Sequence, residues 1–177
     1  MTTDARSEID PHAATLAILA RVVGEGVFTM SRFRDNLRLF VPAARLKGLL
    51  GALKQDCGFN LLADLGATDY LGYPDRTRAR FEVHYVLRNV ETFELVIVKV
   101  GLDDPDPCLP SAVPLWPGAD WMEREVFDMF GIRFDGHPDL RRILMPVEFS
   151  AYPLRKDYPL RGRGERHNFP RLSRGES

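Results

Sequence analysis

Apolar positions along the chain fall into helical and extended runs that can be told apart by their period. Ala13 to Val23 (AATLAILARVV) is apolar enough for a helix, and Gly24 and Gly26 stop it before a β-prone segment beginning near Val27. In Leu37, Leu39 and Val41 the apolar residues alternate with Arg38 and Phe40, which predicts a strand paired with the preceding one across Asp35 and Asn36. Pro42 suits the first turn of a helix, where its missing N–H costs nothing. Leu46, Leu49, Leu50 and Leu53 then follow at i, i+3, i+4, i+7, and Gly58 terminates the run. Arg80 to Arg88 (RFEVHYVLR) and Phe93 to Val100 (FELVIVKV) read as two strands, with Asn89 to Thr92 about the length a hairpin needs. Beyond a Pro-rich connection, Ala119, Met122, Val126, Met129 and Phe130 form the stripe of a helix near 119–130, and Gly131 closes it.

From Pro138 the texture changes. Pro138, Pro146, Pro153, Pro159 and Pro170 interrupt every helix, and Phe149, Tyr152, Leu154, Tyr158, Leu160 and Phe169 are scattered without period. The expectation is an α+β fold, a two-layer α/β sandwich over 1–137, with an extended, Pro-rich, basic arm over 138–177. Aromatics that follow no period cannot share one face of the chain's own sheet. The arm is therefore expected to dock on another protein and to be dispensable for folding.

Composition sharpens this picture in three places. A chain of 177 residues with 45% hydrophobic content can bury about 70% of its unfolded surface, so it needs no staple. The formal charge is −1, yet Leu154 to Ser177 hold seven Arg or Lys against three Asp or Glu, so the basic excess sits at the C-terminus. Cys57 and Cys108 have no Cys or His at ligand spacing, and a zinc site or iron–sulfur cluster cannot be assembled from them alone. No stretch approaches the roughly 20 apolar residues that span a bilayer, and Met1 to Pro11 resembles neither a secretory signal nor a mitochondrial presequence. Membrane association is expected only through a partner.

The stretch EREVFDMFGIRFDGHPDLRRIL, Glu123 to Leu144, carries a dense pattern. Glu123, Arg124, Glu125, Asp128, Met129, Phe130, His137, Arg141, Ile143 and Leu144 resemble the signature of the C-subunit family of bacterial NADH:quinone oxidoreductase, respiratory complex I. PSAVPLWPGADWMEREV and PLRKDYPL are similar to the family as well, and FNLLADLGATDYLGYP more loosely. The resemblance implies a non-catalytic structural subunit of the hydrophilic arm at the cytoplasmic face of the bacterial inner membrane. It also implies contact with the D-type subunit and with B-type and I-type cluster-bearing subunits. FMN and the iron–sulfur clusters would belong to those partners, and no cofactor to this chain.

Each candidate also has a plainer reading. Glu123 and Glu125 invite acid–base chemistry, but helical positions two apart do not face one another, and acids in a first turn offset the helix dipole. Trp121 and Phe127 lie off the main stripe and meet either the core or another protein. His12, His84, His137 and His167 lack metal-ligand spacing; His84 falls on a strand's polar face and His137 at a turn. Asp64 and Asp69 could in principle bind Mg²⁺, but without phosphate-binding glycines nearby they suit turn or capping roles better. Gly162 and Gly164 in RGRGER permit nucleic-acid binding, which no fold motif supports. The residues expected to dock a partner are Trp121, Phe127, Phe149, Tyr152, Arg155, Lys156, Tyr158 and Arg161. The rivals are a subunit of a ferredoxin- or hydrogenase-linked relative of complex I, a hydrolase using Glu123, Glu125 and His137, and a nucleic-acid module.

Overall fold

The protein is described by a computed structural model over residues 10–34, 36–74 and 79–164. Helix α1 spans Ala13–Val23, strand β1 Thr29–Phe33, β2 Asn36–Phe40 and α2 Ala43–Gln55. Strands β3 (Leu61–Asp69), β4 (Phe81–Arg88), β5 (Leu95–Leu102) and β6 (Cys108–Pro110) follow, then α3 (Ala119–Phe130) and β7 (Arg133–Asp135). The five-stranded sheet has the order β1-β2-β5-β4-β3, and β6 pairs with β7 in a second, two-stranded sheet. Because a helix follows β2 where a hairpin could have, the chain crosses the sheet before adding β3 at the far edge. Strand β5 then slots beside β2 in parallel.

Alternation decides the layering. Tyr85 lies opposite Val98, Leu87 opposite Val96 and Val83 opposite Val100, while Leu37 and Leu39 flank Val96 and Val98. These side chains are buried and meet Leu46, Leu49, Leu50 and Leu53 of α2 and Val126, Met129 and Phe130 of α3 in one core. The other face carries half-buried and polar groups: Lys99 bonds Glu82 at 2.6 Å, and His84 stands 3.4 Å from Asp64. The α+β expectation holds, as do the three helices and both predicted strand pairings, although Asn36, expected in the first turn, opens β2 opposite Phe33.

Three strands have no counterpart in the sequence reading. In β3 a register shift between Leu62 and Asp64 moves the apolar phase, so Leu62 and Leu65 both face the core although three residues apart. Asp64 lies in that strand and not at a turn. Strands β6 and β7 have three residues each, too short for any period to show.

The arm requires a correction. Among the described residues 138–164 there is no helix or strand, as the prolines dictate. Its rings, however, are seated on this chain. Phe149 is 5% exposed and packs edge-on against Tyr158, and Tyr152 packs edge-on against Phe127 of α3. A shared face is unnecessary when each ring meets its own site. Gly131 has φ +74°, which any side chain resists, and an added Cβ there would come within 2.5 Å of the Tyr152 ring. Phe169, His167 and the end of RGRGER lie outside the described residues.

Candidate partner interface

Helix α3 is buried on more sides than its apolar stripe predicts, and the extra burial is acidic. Glu123 and Asp128 are both fully buried. A carboxylate so placed must find donors, and each finds them in the backbone of a neighbouring loop. Glu123 accepts the Ala112 N–H at 2.6 Å and the Ser111 hydroxyl at 2.7 Å, tying down the segment between β6 and α3. Asp128 accepts three successive N–H groups, from Ile143, Leu144 and Met145, at 3.0, 2.8 and 2.9 Å on one oxygen. Its other oxygen takes the Arg142 guanidinium at 2.6 Å.

The two acids are poised in opposite directions. Burial raises Glu123 above the usual carboxylate range, because Ala112, Ser111 and nearby His137 recover only part of the lost hydration. Burial also pushes Asp128 up, but the N–H groups of Met145 and Leu144, the Arg142 guanidinium and the Ile143 N–H outweigh it. Asp128 is held below the ordinary range.

The segment from His137 onward runs along α3 as a strap. The Asp139 N–H donates to His137 Nδ1 at 3.0 Å, so the tautomer that satisfies both contacts carries its proton on Nε2, 3.2 Å from the Asp120 carbonyl. One turn on, Arg124 Nε donates to the Arg141 carbonyl at 3.2 Å. Past Asp128 the strap rounds the helix end: the Leu154 N–H donates to Met129 O, and Arg155 Nε to Phe130 O at 2.6 Å. Arg155 lies between the rings of Phe81 and Tyr152, 5.0 Å from each. A second buried acid then receives the strap at the sheet edge, where Asp69 accepts the Lys156 N–H at 2.9 Å and the Leu71 N–H at 2.8 Å. Arg80 pairs with Asp69 at 3.1 Å, with Asp157 at 2.8 Å and with Asp104. Burial raises Asp69, but Arg80 and the Lys156 and Leu71 N–H groups prevail and its pKa lies below the ordinary value.

The signature residues thus divide. Glu123, Arg124, Asp128 and His137 grip loops from inside, whereas Glu125 is exposed. Arg141 contributes its carbonyl to the grip, and its side chain pairs on the surface with Asp139 at 2.9 Å. Glu123 and Glu125 therefore do not converge, and the hydrolase constellation does not form. Of the expected docking residues, Trp121 is exposed over the Arg124 guanidinium, and Lys156 and Arg161 are exposed. Phe127, Phe149, Tyr152, Arg155 and Tyr158 hold the strap in place. Sequence reading missed Ser111, Asp120, Arg80 and Arg142, and gave Asp69 a turn or capping role without its partners in the strap. The loose resemblance around Asp69 and Tyr70 was the one available signal.

Residues 39–164 match the family model described as the respiratory-chain NADH dehydrogenase 30 Kd subunit. The C-type subunit of the NADH-quinone oxidoreductase of Trichlorobacter lovleyi is 46% identical over 147 residues, covering 83% of this chain and 89% of that protein. Its counterpart from a Roseiflexus species is 41% identical over 151 residues, covering 84% of each. Among solved structures, a trypsin-resistant fragment of Nqo5, residues 1–134, superposes with a TM-score of 0.65 at 34% identity, covering 75% of this chain and all of the fragment. A chain of the membrane-bound sulfane sulfur reductase, an archaeal respiratory membrane complex, shares the fold with a TM-score of 0.70 over 93% of this chain and 94% of its own, at 24% identity.

Proposed function

We propose, from the premise that this chain belongs to the respiratory-chain NADH dehydrogenase 30 Kd subunit family, that it is a non-catalytic structural subunit of a proton-translocating NADH:quinone oxidoreductase. The observation that carries this reading is the use made of the signature acids. Glu123 and Asp128 spend their oxygens on loop N–H groups, a serine and one arginine, so the family pattern describes a scaffold. Electrons from NADH would pass through FMN and iron–sulfur clusters in partner subunits, with this chain clamping the D-type subunit and its B-type and I-type neighbours. The complex would hold it at the cytoplasmic face of the bacterial inner membrane; among the described residues no helix is long and apolar enough to cross a membrane.

The test is reconstitution. Membranes from cells lacking this chain should lose NADH:quinone activity and regain it when the purified, colourless chain is supplied during assembly. Stoichiometric flavin or iron–sulfur absorbance in the isolated chain, or turnover of NADH by it, would defeat the proposal. The shared fold with a sulfane sulfur reductase component keeps a related complex with another electron donor as the second reading. Activity restored with a reduced ferredoxin and not with NADH would favour that one.

A further inference from the structure

The strap sorts its side chains by chemistry in an unusual way. Its rings and two of its arginines, Arg142 and Arg155, are turned inward, and Leu140 and Met145 pack against the core, while three other aliphatic residues are turned out. Leu144 is 59% exposed, Val147 90% and Leu154 51%, and Trp121 beside the strap on α3 is 63% exposed. A single exposed aliphatic residue on a surface needs no explanation. Here the backbone beneath is fixed: Asp128 holds residues 143–145 by three N–H groups, and the Leu154 N–H is bound to Met129 O. Apolar groups displayed from an immobilised backbone lose little further entropy on binding, which favours their use as a docking edge.

Charge gives the edge a direction. Around Leu144 Arg141 pairs with Asp139, and exposed Glu148 beside Val147 leaves that stretch weakly acidic. Beyond Leu154 the exposed Lys156 and Arg161 remain, while Asp157 is taken up by Arg80. Resting on the subunit role above, we infer that Trp121, Leu144, Val147 and Leu154, continued by Lys156 and Arg161, form the docking edge for a subunit whose facing surface is apolar along one stretch and acidic beyond it. The buried rings of the strap do not touch that partner. They set the height and register at which the aliphatic groups are presented.

The two halves of the edge make separable predictions. Purified full-length chain is titrated onto the D-type subunit of the same complex, co-expressed with its cluster-bearing neighbours, at low and at high salt. Leu144→Ala/Val147→Ala/Leu154→Ala should weaken binding by about 100-fold at both salt concentrations, chiefly through faster dissociation. Lys156→Glu/Arg161→Glu should slow association by about tenfold at low salt and have little effect at high salt. Val147→Asp alone, at the most exposed of the three substituted positions, guards against an unfolded triple variant and should also bind weakly with an unchanged urea midpoint. If all three variants bind like wild type, the edge is elsewhere and the subunit role stands. If wild type itself fails to bind, both the edge and the role on which it rests are wrong.

Discussion

Val83 and Val100 in the sheet and Phe149 in the strap are all well buried, but what secures the burial differs. In the sheet, each side chain adds its area to a continuous core, about 1.5–3 kcal/mol for a fully buried Val, Leu or Phe. Removing one leaves the rest in contact. The strap has less apolar area, chiefly the rings of Phe149, Tyr152 and Tyr158, and depends besides on a few polar points: Asp128 near its start, the Met129 and Phe130 carbonyls at the helix end, and Asp69 with Arg80 at the sheet edge. A region held by area yields gradually, whereas a region held by points fails when one point fails. The same contrast explains how a segment without secondary structure can still have a defined place on the domain.

The hardest test of this contrast removes the strap. A chain ending after Pro146 loses Phe149, Tyr152 and Arg155 and uncovers Phe127 and Phe81 of the domain beneath. Loss of one buried Phe costs about 3–5 kcal/mol, and whole domains are stable by only about 5–15 kcal/mol. The truncated chain should therefore lose about 5 kcal/mol and melt far below the full chain. An unchanged melting temperature would mean that the strap only decorates the domain, as its irregular sequence suggested.

Next in size is the single point at Asp128. Asp128→Ala leaves the partly buried Arg142 guanidinium without its carboxylate and strips three N–H groups of their acceptor, so about 3–5 kcal/mol should be lost in urea unfolding. A core truncation such as Leu39→Ala should cost about 2–5 kcal/mol. It should, however, lower protection throughout the sheet, while Asp128→Ala should open residues 140–157 to proteolysis first. Uniform loss of amide protection in both variants would erase the distinction.

Acid should act on the strap before the sheet. The native pKa values of Asp69 and Asp128 lie below the ordinary value, so the stability they contribute is complete above about pH 4 and is lost as pH falls through their lowered values. Both contributions should disappear in that window. Hydrogen exchange as a function of pH should show residues 143–157 releasing while β4 and β5 stay protected. A sheet that opens together with the strap would show the two regions to be one cooperative unit.

What was legible in the sequence follows from the same physics. Leu46 to Leu53 and Phe81 to Leu87 announce themselves because burial by area repeats with the period of the element. A point contact has no period. Asp128 binds backbone N–H groups, which nearly every residue possesses, so nothing at 143–145 marks the segment as its partner. Arg80 meets Asp157 from 77 positions away, a distance over which single-sequence patterns are silent. The signature gathered Glu123, Arg124, Asp128 and His137 as a group, yet their inward grip became visible only once the loops were in place.

The smallest expected effect separates the two buried acids of α3. Glu123 is raised where Asp128 is lowered, so its contribution to stability is greatest at low pH and declines as pH rises through its native value. Ionised Glu123 is therefore a cost at neutral pH, which Glu123→Gln removes. The glutamine oxygen can still accept the Ala112 N–H, and its amide can donate to the Ser111 oxygen, which already accepts the Val113 N–H. The variant should stay within about 1 kcal/mol of wild type, gain on it as pH rises from about 4 to 8, and support full assembly of the complex. Asp128→Asn should do none of this, because an amide nitrogen cannot accept where two oxygens now do. A loss above about 2 kcal/mol at pH 8 for Glu123→Gln would show that Glu123 needs its charge, and the two acids would then be the same kind of anchor.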